Sequence, residues 1–150
     1  MKKEFVMRGQ TASGTQEVLN FSGYKPGYAY RMVAFDIWPS TNIGGQSFEL
    51  AATVTAAKTF EDPSNPNFNN EGLISTAYIS DHSNSQDPTS GLTPLINDTF
   101  LITQNLILAV IDSVAGAPMA VNWQCRFVAE KMSGPEEAVA NYRQYAISDD

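Results

Sequence analysis

The chain has 150 residues, with nine Lys plus Arg against sixteen Asp plus Glu and a formal charge of -7, which suits one domain and disfavours phosphate neutralisation and direct nucleic-acid binding. Hydrophobic residues make up 43% and charged residues only 17%, which argues against charge-driven disorder over most of the length. One Cys and one His exclude an intrachain disulfide, a two-His zinc site and a His-rich metal centre.

The chain opens Met1-Lys2-Lys3-Glu4-Phe5-Val6-Met7-Arg8, where Glu4 and Arg8 interrupt the apolar stretch of about 7–15 residues that export requires. Synthesis in a cytoplasm is the expectation. No run approaches the roughly 18 apolar residues of a membrane span. Residues 4–10 and 15–21 are the first strand candidates. In residues 28–38, Tyr28, Tyr30, Met32 and Ala34 alternate with Ala29, Arg31, Val33, Phe35 and Ile37, so apolar weight falls on both faces and a strand covered on both sides is expected. Tyr24, Tyr28, Tyr30 and Trp38 gather around Gly23, Pro26, Gly27 and Pro39. The simpler reading pins a turn to the core; the other exposes rings that stack on sugars.

Gly44-Gly45 precedes a strand, so it reads as a turn. Residues 47–57 alternate cleanly, with Phe48, Leu50, Ala52, Val54 and Ala56 opposite Ser47, Glu49, Thr53 and Thr55. One core face and one wet face are expected. Two long polar linkers follow, 59–72 and 81–94, on either side of a strand over Leu73–Asp81. Both exceed the usual 2–5 residues of a hairpin loop, and such connections suit crossings between sheets. The first offers Asp62, Asn65, Asn67, Asn69 and Glu71 as oxygen donors, without the spaced acids and central Gly of an EF-hand. Its side chains are expected to bond their own backbone. The second contains Asp81-His82-Ser83, whose neighbours on an extended chain point apart and cannot relay a proton. His82 is assigned no chemical role.

Residues 95–102 form a weaker strand candidate. Residues 106–111 are apolar throughout, as a central strand would be. Val121–Lys131 places Trp123, Cys125, Phe127 and Ala129 opposite Asn122, Gln124, Arg126 and Glu130, and Cys125 reads as a buried small hydrophobe. Ser133 caps an expected helix over 135–145, with Pro135, Glu136 and Glu137 in its first turn. Ala138, Val139, Tyr142, Tyr145 and Ala146 recur at three and four residues, a stripe expected to dock on a sheet of this chain or of a neighbour.

Neither a nucleophile elbow, nor a phosphate-cradling loop, nor a paired-Cys motif occurs. Asp36, Glu49, Asp98, Asp112 and Glu130 lie in or beside strands; a glycosidase needs two such groups at a set separation, but each reads more simply as solvent-facing. No catalytic, cofactor-binding or metal-ligating residue is assigned, and an enzyme is not expected. The fold expected is all-β: a jelly-roll-like antiparallel β-sandwich of about eight strands, residues 1–132, with a short C-terminal amphipathic α-helix and acidic tail, residues 133–150.

The segment 105–112 (NLILAVID), a short turn, 121–133 (VNWQCRFVAEKMS) and the acidic-start helix resemble the C-terminal region of small virion structural proteins of tailed or icosahedral phages. Those are β-sandwich or jelly-roll proteins of the capsid or its decoration. The resemblance implies a non-enzymatic subunit of a virion, a minor capsid, decoration or cement protein assembled in many copies. Its partners would be copies of itself and other virion proteins, with no cofactor, direct nucleic-acid contact or membrane. It carries over no functional residue. From the residues themselves, Val139, Tyr142 and Tyr145 on the helix, with Tyr28 and Tyr30, are the candidate partner-binding positions. Two other readings are a tail-tube or connector subunit, and a carbohydrate-binding module using the aromatic group and the Asn-rich loops.

Overall fold

The computed structural model describes residues 3–21, 27–41, 47–56, 58–81, 90–114 and 118–149, the side chains of residues 90 and 145–149 excepted. Among these residues eight strands precede one helix: β1 (Lys3–Thr11), β2 (Gln16–Leu19), β3 (Tyr28–Pro39), β4 (Phe48–Thr55), β5 (Leu73–Asp81), β6 (Ser90–Ile96), β7 (Leu106–Asp112), β8 (Val121–Lys131) and α1 (Gly134–Asp149). The strands make two antiparallel sheets, ordered β1-β8-β3 and β2-β7-β4-β5-β6. The first strand pairs with the last, the second with the seventh, and β4 with β5. That nesting is one long hairpin rolled into two sheets, the connectivity of a jelly roll. The chain is an all-β, jelly-roll-like antiparallel sandwich with a C-terminal helix.

The facing inner surfaces close one core. Met32 and Phe35 of β3, Leu50, Ala52 and Val54 of β4, Leu106, Leu108 and Val110 of β7, and Cys125 and Phe127 of β8 are all buried within it. Phe5, Phe21, Tyr30 and Phe127 pack as an aromatic cluster at centroid separations of 5.2 to 6.2 Å, which adds quadrupole complementarity to area burial. Trp123 lies across β1, its Nε1 donating to Thr11 Oγ1 at 2.9 Å. Gly9 makes room for it, because a Cβ at that position would meet the indole at 2.9 Å.

Four expectations change. The connections 59–72 and 81–94, expected to suit crossings between sheets, each join antiparallel neighbours within the five-stranded sheet, β4 to β5 and β5 to β6. In β3 the register shifts between Met32 and Ala34, so Val33 is an extra residue in the ladder. Before it Tyr30 and Met32 face the core; after it Phe35 and Ile37 do. The apolar weight on both phases therefore comes from a bulge that exchanges the faces, and the outer side stays open at Val33, Asp36 and Trp38. In β4 the face expected to be wet is buried: Ala51, Thr53 and Thr55 lie under residues 61–72, with Thr53 Oγ1 donating to the Glu61 carbonyl at 2.7 Å and Thr55 Oγ1 to that of Gly72 at 3.0 Å. Finally, the strand expected over 95–102 lies over Ser90–Ile96. An edge position tolerates Pro94, which lacks an N–H, and Asn97 then turns the chain by accepting from the Thr99 amide and hydroxyl. Ile102 keeps a single bridge to Tyr30.

Candidate functional site

The two outer sheet surfaces and α1 provide the exposed features from which a site can be built. On the five-stranded sheet, antiparallel register aligns Ile111, Ala51, Tyr78 and Leu92 in one row, and Ala109, Thr53, Thr76 and Leu95 in the next. Small residues at the centre let the 61–72 loop lie close, with Pro63 buried against the sheet. Towards the β6 edge the cover ends. Phe68, Leu92 and Leu95 are 61%, 70% and 53% exposed and, with Pro66 and Tyr78, line an apolar hollow of about 240 Å³. Large apolar side chains grouped at a surface mark an interaction site more often than scattered ones do. Sequence reasoning missed them, because Phe68 sits in a polar loop and Leu92 and Leu95 straddle a proline.

The loop that borders the hollow is internally bonded. Asp62 Oδ1 accepts from the Ser64 amide, Glu61 Oε1 from the Asn67 amide, and Glu61 Oε2 from Asn70 Nδ2, all at 2.6–2.9 Å. Asn67 and Asn70 in turn accept from the Asn69 and Gly72 amides. These oxygens are engaged by N–H donors, and no group of three or more His, Cys, Asp or Glu among the described residues is placed to hold a metal ion.

Across the three-stranded sheet the outer rows read Val6, Arg126, Ala34; then Arg8, Gln124, Asp36; then Gln10, Asn122, Trp38. Val6, Arg8, Gln10, Asp36, Trp38 and Arg126 of these rows are exposed. Trp38 is 57% exposed at the rim of an open groove of about 480 Å³ bordered by Arg8, Asp36, Asn122 and Gln124. Asn122 is fixed from both sides, accepting from Gln10 Nε2 at 3.0 Å and donating to the Pro39 carbonyl at 3.2 Å.

The sequence-derived aromatic group does not assemble. Tyr28 is half-buried and Tyr30 contributes to the interior against Phe5 and Phe21, while Trp38 lies at the other end of β3; Tyr24, Gly23, Pro26 and Gly44-Gly45 fall outside the described residues. Of the two docking possibilities expected for the α1 stripe, a sheet of this chain or of a neighbour, Val139 and Tyr142 do not take the first. Ala140 packs with Ala29, Met132 and Leu101, and Gln144 Oε1 accepts from the Thr103 and Gln104 amides at 2.6 and 3.1 Å. Arg143 lies over the Phe100 ring at 5.7 Å. Val139 and Tyr142 point away, 68% and 74% exposed, and the Tyr145 side chain lies outside the described residues. Ala140 wins because its small side chain allows close approach, and Gln144 because the loop amides need an acceptor. Ser133 caps the helix as its sequence predicts, accepting from the Glu136 amide at 3.3 Å.

Each strand-associated carboxylate has its own surroundings. Asp112, expected to face solvent, is buried and accepts from the Glu49, Val114 and Met119 amides at 2.9–3.2 Å. Glu130 pairs with Arg31 at 2.9 Å, Glu49 accepts from the Tyr78 hydroxyl at 3.0 Å, and Asp36 and Asp98 are exposed. Burial, with the nearby Asp36 charge adding to it, pushes the Cys125 thiol up to about 12, so it stays a protonated, inert core group at neutral pH. His82 and Ser83 lie outside the described residues.

No protein-family model matches the chain, and a search of curated proteins finds no significant match.

Proposed function

We propose that this chain is a non-enzymatic structural subunit acting by association with copies of itself and with other proteins, a minor capsid, decoration or cement component of a phage or viral particle. The observation that carries the reading is the apolar hollow of Phe68, Leu92 and Leu95, left uncovered where the 61–72 loop stops short of the β6 edge. Exposed Val139 and Tyr142 on α1 extend the apolar surface offered to neighbours. Burying one such side chain contributes about 1.5–3 kcal/mol, and a stable interface of roughly 1,200–2,000 Å² needs several. The jelly-roll connectivity is compatible with shell proteins as it is with lectins and cupins, so topology by itself does not select the reading. The engagement of Asp112 by three amides, the pairing of Glu130 with Arg31 and the protonated state of Cys125 favour a structural role over catalysis.

Sedimentation and negative-stain microscopy of the purified chain test this. Concentration-dependent assembly that Leu92→Asp and Leu95→Asp abolish, without a change in melting temperature, supports it; a wild-type chain that stays monomeric both alone and with the proteins encoded beside it overturns it. Closed rings in place of shell fragments would select the tail-tube or connector form of the same proposal.

A further inference from the structure

We propose that the Trp38 groove on the outer face of the three-stranded sheet is a saccharide-binding site, a function separate from assembly through the apolar hollow. Trp38 is the one exposed aromatic of this sheet face among the described residues, and the groups beside it are hydrogen-bonding ones. Arg8, Gln124 and Asp36 stand side by side on β1, β8 and β3, and none of the three has a hydrogen-bond or ion-pair partner among the described residues. Strands lie about 4.8 Å apart at the backbone, and the row carries a guanidinium, an amide and a carboxylate on three successive strands. Arg8 and Asp36 stand on the two outer strands of the sheet and form no ion pair with each other.

A pyranose has the matching chemistry. Its C–H face is apolar and stacks on an indole, while its equatorial hydroxyls both donate and accept. Asp36 accepts, Arg8 donates, and Gln124 does both, which serves hydroxyls better than it serves an apolar or singly charged ligand. Asn122 is held by Gln10 and the Pro39 carbonyl, so the wall next to Trp38 is preorganised and loses little freedom on binding. A protein partner is the less fitting occupant, because interface cores are depleted of charged groups and this groove sets two around a single ring. The open, shallow shape of about 480 Å³ admits a segment of a longer glycan from either end.

The test uses the full chain on an array of immobilised neutral and acidic glycans. It is followed by titration with cellohexaose, chitohexaose, maltohexaose and an oligogalacturonate, read by tryptophan emission and calorimetry. Trp123 is buried but also borders the groove, so the emission change is assigned to Trp38 by its loss in Trp38→Phe. Expected are saturable binding to at least one glycan class, at least tenfold weaker binding in Trp38→Ala and Gln124→Ala, and unchanged melting and sedimentation in both variants. Absence of binding to every probe, or binding that Trp38→Ala leaves unaltered, overturns the proposal. Loss of self-association in Trp38→Ala without glycan binding by the wild type overturns it too, and would place Trp38 in a subunit interface.

Discussion

The two sheets carry the same kind of alternating sequence and treat their outer faces in opposite ways. On β4, Thr53 and Thr55 are fully buried because the 61–72 loop lies over them and offers carbonyls to their hydroxyls. On β8, Gln124 and Arg126 occupy the equivalent phase and remain in contact with solvent. Alternation says that two faces differ; it does not say what covers the less apolar one. Size and charge give a partial signal. The covered face has Ala51, Thr53, Thr55 and Ala109, small enough for a backbone to approach, whereas the open one has Arg8, Gln10, Gln124 and Arg126, whose long polar side chains stay hydrated.

The largest expected effect breaks this comparison directly. Thr53→Glu places a carboxylate under the loop and should destabilise by more than about 3 kcal/mol or prevent folding, while Gln124→Glu on the open face should stay within about 0.5 kcal/mol; chemical denaturation of both checks it, and equal effects would show that the loop does not seal β4. Next comes Gly9→Val, which drives a side chain into the Trp123 ring and should cost about 1–3 kcal/mol, with a loss of near-UV circular dichroism from the displaced indole. Val6→Thr, on the outer phase of the same strand, should move the denaturation midpoint little.

Cys125 gives a pH-dependent comparison of core with denatured chain. An unfolded thiol ionises near 9.0, while the folded one stays protonated to about 12. Above pH 9 the unfolded state binds fewer protons than the folded state, so this group's contribution to stability is intact below pH 9 and is lost as pH rises towards 12. The slope should approach about 1.4 kcal/mol per pH unit and should disappear in Cys125→Ala once its own cavity cost is subtracted. A native chain whose thiol reacts with a chromogenic disulfide at neutral pH as fast as the denatured chain would contradict this. Among the changes to buried groups the smallest effect is Thr53→Val, near 1 kcal/mol, because only one hydroxyl bond to the Glu61 carbonyl is removed and the residue volume is nearly kept.

Much of the architecture was legible. Val121–Lys131, with its period-two alternation, and the weaker candidate Leu73–Asp81 match β8 and β5. Ser133 followed by Pro135, Glu136 and Glu137 marked the start of α1 because capping is local chemistry. What failed was phase and cover. The bulge at Val33 inverts the faces of β3 halfway along, and a sequence window averages over it. On α1 spacing does not tell which face docks within the chain: Ala140 and Gln144 do, because Ala29, Leu101 and the Thr103 and Gln104 amides determine which face fits, while Val139 and Tyr142 stay exposed. Asp112 reads as a surface acid and is a buried acceptor for three amides, a role that depends on Glu49, Val114 and Met119 being brought to it.

For the exposed surfaces the split is sharper still. Trp38 groups in sequence with the tyrosines near it, but its neighbours Arg8, Asn122 and Gln124 come from β1 and β8, up to 86 positions away, and only strand register puts them in adjacent rows. Phe68, Leu92 and Leu95 were passed over because each lies in a polar or proline-broken stretch; they meet where the loop and the sheet edge converge.

By itself the sequence determined the all-β class, the sandwich, most strand positions, the helix cap and the burial of Trp123, Cys125 and Phe127, because these follow from backbone periodicity, local hydrogen bonding and the transfer of apolar side chains from water. Only the tertiary structure decided which outer face is covered, which helix face docks and which side chains meet at the surface. Those outcomes depend on pairing and packing between segments far apart in the chain, and no local pattern encodes the identity of a distant neighbour.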